Sequence, residues 1–420
     1  LIRDGLNSLR SKSMNRMWMG AVAVCLVAAV SVSGAITIPG ADGSDGAFNP
    51  VANVEVDLSA APAAVWDGAN PNPGQNTGVY DAAKWAVVFR FTEVNIPAGV
   101  TVTFKNRDGR PPVVWLVEGS VSIAGTVSMN GQNGDNGLAR EAEPGPGGFR
   151  GGRGTPVGGR GGAGYGPGGA SYMVGSLVGA GGSYGSLGGF YGASYPQPGP
   201  LYGHPSVLPL IGGSGGSGEG DEFRGGGAGG GAILIAAGGV CSIAATGTVT
   251  CRGGSGSSAW GGGGSGGAIR VLADSIEGTG ALTATGGASN AAGGAGRIRL
   301  EANVISFTGS NAPAYVSATP GMLWPAVGAP TVRIVSIGGQ TVDPDPKAQF
   351  GPTPDASVSG LNPVLVLIET TNLPPTSTVT LRVVPREGND IRNIPAVYNG
   401  SSGLWEASVD LSSGFSTLQV

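Results

Sequence analysis

Charge and histidine are what this chain most lacks. Only 12% of its 420 residues are Asp, Glu, Lys or Arg, against roughly 25% in ordinary globular domains. His204 is the single imidazole. A Ser-His-Asp triad would have to use it, although it lies in a Pro-rich stretch away from any strand-to-helix elbow. Gly-x-Ser-x-Gly spacing does occur around Ser183, Ser214 and Ser265, but a glycine tract produces that spacing by chance. No glycine run opens a helix or ends in Gly-Lys-Ser/Thr, so phosphate loops are not expected either. Cysteine is limited to Cys25, Cys241 and Cys251, and no His or further Cys joins the last two in a zinc-binding pattern. After about residue 36 there is also no helical periodicity to match the strand signals.

What is present in excess is glycine. The chain holds 82 Gly and 30 Pro, a share that usually marks low complexity. Here the glycines punctuate short runs of alternating Val, Ile and Leu, the pattern of half-buried strands. Before them, Arg3, Arg10, Lys12 and Arg16 precede an apolar run from Met17 to Val32 and the small-x-small triplet Ser33-Gly34-Ala35, which predicts an export signal over residues 1–35 cleaved after Ala35. Met17 to Ile36 is also long enough to span a bilayer as an anchor. Met14 or Met17 is a more natural start for such a signal than Leu1. Removing residues 1–35 leaves 19 basic against 26 acidic residues. That balance disfavours nucleic acid as a partner, despite the RGG-like runs at Arg150, Arg153 and Arg160.

One pattern is written several times. Val113 to Gly131 recurs as Ala232–Ala237 with Gly247–Gly253, again as Ala268–Ala273 with Gly280–Gly286, and more faintly as Arg297–Ala302 with Tyr315–Ala318. Units that cannot bury a core alone stack into a solenoid. The period of two predicts an inward column of Ile233, Ile269 and Ile298, preceded by Val114 and Leu116, and a second column of Val127, Val249, Leu282 and Val316. Val87–Phe104 is expected to form the first of about five coils, with residues 40–80 and the C-terminal region as caps. In this register Cys241 replaces Val121 and Cys251 replaces Met129, which makes both buried apolar side chains; an exported setting also permits a disulfide.

Gly131–Gly231 interrupts the repeat, and 39 of its 101 residues are Gly. A disordered loop is the default expectation at this length. Yet glycines recur every third residue at 145, 148, 151 and 154, at 158, 161 and 164, and at 179, 182, 185 and 188, the period of a polyproline-II-like helix. In this the segment resembles some glycine-rich phage adhesins and antifreeze proteins. From Pro325 onward glycine thins out, and strand-like runs at Thr331–Ile337, Val364–Thr370, Val379–Val384 and Leu404–Leu411 predict an Ig-like β-sandwich over 325–420. That sandwich reads as incomplete, since Ser416–Val420 is itself strand-like.

The expected fold class is therefore all-β: a short right-handed parallel β-solenoid over 36–324, including the insert 131–231, with the C-terminal sandwich. Polysaccharide-degrading β-helices need acidic pairs, or calcium-bound carboxylates with a base, on the outward strand face. The expected outward ladders here are Trp115, Leu234, Arg270, Arg299 and Val117, Ala236, Leu272, Glu301. Arg270, Asp274, Arg299 and Glu301 are the charged patch, expected as a solvated salt-bridged face. The turns at Asp42/Asp45 and Asn130/Asn133/Asp135 have oxygen-rich spacing that suits Ca²⁺ or simply a turn, so the metal question stays open. No catalytic set and no cofactor site is expected.

Ser44-Asp45-Gly-Ala-Phe-Asn-Pro50, Phe91–Phe104, and the pair Gly-Gly-Ala-Ile-Arg270 and Gly-Ala-Gly-Arg-Ile-Arg-Leu300 resemble uncharacterised exported glycine-rich bacterial parallel β-helix proteins over about residues 40–310. The resemblance implies export and a solenoid and supplies no catalytic residues. The expected function is structural or adhesive, secreted or at the cell surface, with extracellular polysaccharide or matrix as partner. Trp85, Trp115, Trp260 and several Tyr are residues that could pack against sugar rings. A polysaccharide lyase or glycoside hydrolase is the alternative.

Overall fold

The computed structural model describes residues 35–420, apart from 138, 139, 157, 158, 221, 222, 361 and 388–390. The expected export signal thus lies, all but Ala35, outside the described residues. The chain is all-β, with 33% strand and 1% helix. In chain order the first strands are β1 (Gly46–Phe48), β2 (Val54–Asp57), β3 (Val79–Asp81), β4 (Ala86–Ile96) and β5 (Thr101–Lys105). Then come β6 (Val113–Val117), β7 (Val121–Ile123), β8 (Thr126–Ser128), β9 (Ala232–Ile243) and β10 (Thr248–Thr250). They are followed by β11 (Ala268–Gly278), β12 (Ala281–Thr283), β13 (Arg297–Ile305), β14 (Ser310–Ala312) and β15 (Val316–Ala318).

These strands alternate between two parallel sheets. One has the order β1-β4-β6-β9-β11-β13-β15, with β7 also pairing β4 and β9, and with β3 antiparallel to β4. The other has the order β2-β5-β8-β10-β12-β14. Val113, Ile233, Ile269 and Ile298 are in register in the first sheet, and Val54, Val102, Val127, Val249 and Leu282 in the second. All but the partly buried Val54 are buried in one shared core. Burying each such side chain stabilises by about 1.5–3 kcal/mol.

Four expectations are corrected here. Val113 and Trp115, not Val114 and Leu116, face the core; Trp115 pairs with Ile235 and Phe89 and is 1% exposed. The outward ladder is therefore Val114, Leu234, Arg270 and Arg299, and the adjoining one is Leu116, Ala236, Leu272 and Glu301. The run Val-Val-Trp-Leu-Val is apolar on both faces, so alternation could not set its register, and a slip of one residue inverts every side chain. Val316 pairs with Arg299 in the first sheet, whereas Asn311 follows Leu282 in the second. Finally, β1 pairs in parallel with β4 across a bulge and β2 lies in register on β5, so residues 46–57 extend the stack that was expected to begin at Val87.

Between β8 and β9 the glycine-rich segment leaves the sheets without breaking their register. Its stretches 161–170, 212–220 and 225–231 are largely buried and hydrogen-bonded, against the default expectation of disorder. Gly225, Ala228 and Gly231 donate to the carbonyls of Asp135, Gln132 and Met129; Gly226 and Gly229 donate to Gly152 and Phe149; Gly227 and Gly230 donate to Gly262 and Ser265, all at 2.7–3.0 Å. Successive N–H groups thus address three different neighbouring segments with a period of three, the repeat of an extended three-residue-per-turn helix. Segments beyond the insert join in: Gly263 and Gly266 donate to Ala291 and Gly294. The spacing leaves no room for side chains, since a Cβ on Gly229 would lie 1.8 Å from the Gly213 carbonyl oxygen.

The C-terminal part has two antiparallel sheets. β16 (Thr331–Ile337), β17 (Gln340–Thr341), β18 (Val364–Thr371), β19 (Thr380–Pro385), β20 (Arg392–Pro395), β21 (Val397–Asn399), β22 (Leu404–Val409) and β23 (Ser416–Gln419) are arranged as β17-β16-β18-β22-β21 and β20-β19-β23. Val366, Ile368, Leu381, Val383, Trp405 and Ala407 form a core common to both sheets. This part meets the glycine-rich layer: Arg386 pairs with Glu141 at 2.7 Å, Arg382 donates to the Gly169 carbonyl at 2.9 Å, and Val384 is buried with Ala163, Tyr165 and Tyr172.

Candidate binding surface

The outward face of the first sheet, where β-helix chemistry would be sought, is covered. Ile38, Trp66, Val207, Leu210 and Leu323 pack with Val88, Val114, Leu116, Leu234 and Leu272 of that face. Arg270 and Glu301 are each 1% exposed and form a two-pronged pair, Nε to Oε1 at 3.1 Å and Nη2 to Oε2 at 3.0 Å. Arg270 also donates to the carbonyls of Leu323 and Met322, and Glu301 accepts from the Gly321 amide. The pair therefore clamps residues 321–323 over the sheet. Burial alone pushes the Glu301 carboxyl up, but the hydrogen bonds and charges of Arg270 and Arg299 outweigh it and hold the carboxyl below its ordinary range. Asp274 accepts from Asn303 at 2.9 Å. The expected patch is thus a salt-bridged cluster, but a buried one instead of a solvated one.

Arg90 repeats this arrangement at the other end of the same ladder. It is 1% exposed and donates to the carbonyls of Trp66 and Gly68 and to Asp42. Asp45 accepts from the Arg90 amide at 2.8 Å and from Asn70 at 3.1 Å. In the other acidic turn, Asn130 accepts from Thr250 and Arg252, Asn133 accepts from Ser255, and Asp135 pairs with Arg140. Both turns spend oxygens on bonds between neighbouring segments. Among the described residues, no group of three or more His, Cys, Asp or Glu side chains is placed to hold a metal ion.

Ser183, Ser214 and Ser265 are fully buried and bonded within the glycine-rich layer, while His204 is exposed beside Ser206. The structure does not bring them into a triad. Arg150 and Arg153 pair with Glu143 and Glu387. Cys241 and Cys251 are free, buried thiols, and burial pushes Cys241 up to about 12 and raises Cys251 as well. Trp85 donates its indole N–H to the Gly109 carbonyl at 3.1 Å, and Trp115 is core. Only Trp260, 39% exposed, remains of the three tryptophans suggested for ring stacking.

Around Trp260 lies a surface that the strand patterns did not mark. Tyr191 stacks on Trp260 with centroids 6.3 Å apart and planes 24° apart, and Tyr195 stands 6.2 Å from Tyr191. A cavity of about 580 Å³ is lined by Leu177, Val178, Tyr195, Arg224 and Trp260 together with Gly175 and Ser176. Leu177, Tyr191 and Tyr195 are 60%, 40% and 46% exposed. These loops are tied down: the Trp260 carbonyl accepts from Gly179 at 2.7 Å, and the Gln197 amide donates to the carbonyls of Gly192 and Tyr195. In sequence the only sign is that Leu, Phe and Tyr cluster where the three-residue glycine rhythm lapses. A second cavity, of about 810 Å³, is lined by β16, residues from the 342–360 loop, Asn362 and the 411–420 segment that includes β23.

With this geometry in hand, no family model, no curated protein and no solved structure matches the chain. Among the described residues, no helix is long and apolar enough to cross a membrane.

Proposed function

We propose that the chain is an exported structural or adhesive protein of a cell surface or extracellular matrix. In this reading the two parallel sheets are the walls of a short right-handed β-solenoid, and the C-terminal sheets form an Ig-like β-sandwich. The glycine-rich layer is a rigid mount that carries apolar loops into solvent. The observation that carries the proposal is the contiguous exposed group Leu177, Tyr191, Tyr195 and Trp260, rooted in an extensively hydrogen-bonded layer. Contiguous exposed apolar surface costs solvation and marks sites of interaction. The clamped Arg270–Glu301 pair and the covered sheet face support adhesion over polysaccharide cleavage, because the acid pair that glycoside hydrolysis requires is not offered there. Arg150 and Arg153 of the RGG-like runs, committed to Glu143 and Glu387, favour a partner other than nucleic acid. Extracellular polysaccharide or matrix is the partner class that suits these features.

The test is to incubate residues 36–420 with a panel of insoluble and soluble polysaccharides, with and without Ca²⁺, measuring retention and released products side by side. Retention without products is the expected outcome. Product release abolished by changing Arg270, Arg299 or Glu301 would overturn it.

A further inference from the structure

We infer that the cavity beside Trp260 is a subsite for an uncharged pyranose ring of a glycan, which deepens the adhesive reading above and rests on it. Its size, about 580 Å³, falls in the range of small-ligand sites. One wall is the flat indole of Trp260, with Tyr191 nearly parallel behind it, and Tyr195 forms an adjoining wall. An aromatic face is apolar and carries negative quadrupole charge. The C–H face of a pyranose is its complement, being apolar with weakly positive hydrogens, while the hydroxyls at the ring's edge stay free to meet water or polar groups.

The cavity's charge argues for a neutral sugar. Among the described lining residues the one charged side chain is Arg224, and it is paired with Glu219 at 3.1 Å, so that pair contributes dipole without net charge. A polyanionic chain would gain little there and lose hydration. Pre-organisation adds to the case. Loop 191–197 is held by Gln197 and the Trp260 backbone by Gly179, so the rings need little ordering when a ligand arrives, and ordering is a main cost of binding.

The experiment is calorimetric titration of residues 36–420 with neutral hexaoses of the cello, xylo, laminari and chito series and with hexagalacturonate as the acidic comparator. It is run on the unchanged chain and on Trp260→Ala, Trp260→Phe, Tyr195→Ala and Val327→Ala. At least one neutral hexaose should bind saturably. Trp260→Ala should weaken it by about tenfold or more, as truncating an aromatic anchor does, Tyr195→Ala should weaken it as well, and Trp260→Phe should retain most of it. Val327→Ala, at a fully exposed position outside the cavity lining, should bind as the unchanged chain does. Tighter binding of hexagalacturonate than of every neutral hexaose, or unaltered binding by Trp260→Ala, would overturn the subsite. An insoluble matrix that retains the unchanged chain and Trp260→Ala equally would remove the subsite and leave adhesion standing. Retention by no matrix at all would remove both.

Discussion

Ile269 lies in the middle of its column, between Ile233 and Ile298, with no exposed surface. Ile269→Asp would place an unpaired charge there, at a cost of about 4 kcal/mol or more, so chemical denaturation should show a chain at or beyond its limit of stability. Glu301→Gln breaks a buried ion pair and should cost about 3 kcal/mol at neutral pH. Its pH dependence follows from the lowered carboxyl. Glu301 titrates in the folded chain below its ordinary value of 4.5, so the unfolded chain binds the proton first as pH falls. The stability contributed by Glu301 is complete above that value and is lost as pH drops through the folded value. Denaturation midpoints should therefore fall less steeply in Glu301→Gln than in the unchanged chain as pH drops below 4.5. Cys241 and Cys251, buried and with raised thiol values, should resist a thiol reagent in the native state and both react after unfolding.

Among the elements, the glycine-rich segments and the last strand give separable tests. Gly229→Ala drives a methyl into the Gly213 carbonyl, whereas a Cβ on Gly351 meets nothing within 4 Å. The first substitution should cost about 3 kcal/mol or more and the second almost nothing, as melting temperatures would show. Arg386 donates to the Phe415 carbonyl at 2.8 Å and pairs 382, 383, 384 and 385 of β19 with 419, 418, 417 and 416 of β23 continue from it. Alternation then turns the N–H groups of Ser416 and Leu418 to the free edge, and these should exchange with solvent faster than those of Thr417 and Gln419. The strand locations were legible in the sequence where apolar residues alternate: the runs at 331–337, 364–370, 379–384 and 404–411 match β16, β18, β19 and β22 to within about two residues. Legibility failed where alternation is absent. Val113–Val117 is apolar throughout and carried no register. β1 and β2 are too short to announce two further strands of the parallel sheets, and the burial of Arg90, Arg270 and Glu301 depends on segments from elsewhere in the chain that cover their sheet face.

For the molecule as a whole, the decisive feature is that an insert of about one hundred residues, with no regular strand among its described residues, is nevertheless a structural layer in contact with both the parallel sheets and the C-terminal part. The sequence carried this in the three-residue glycine rhythm, which chance alone could also write in so glycine-rich a chain. The aromatic surface at Tyr191, Tyr195 and Trp260 was not legible as a unit, because three-dimensional proximity joins loops about 65 residues apart. Both the adhesive reading and the pyranose subsite require that those loops stand on an ordered support. Hydrogen exchange followed by mass spectrometry on residues 36–420 tests that requirement most directly, since protection measures the free energy of opening segment by segment. Peptides covering 212–218 and 225–231 should be protected as strongly as those covering β9 and β11; complete exchange of both within seconds, while the β-strands remain protected, would contradict the ordered layer and the functions built on it.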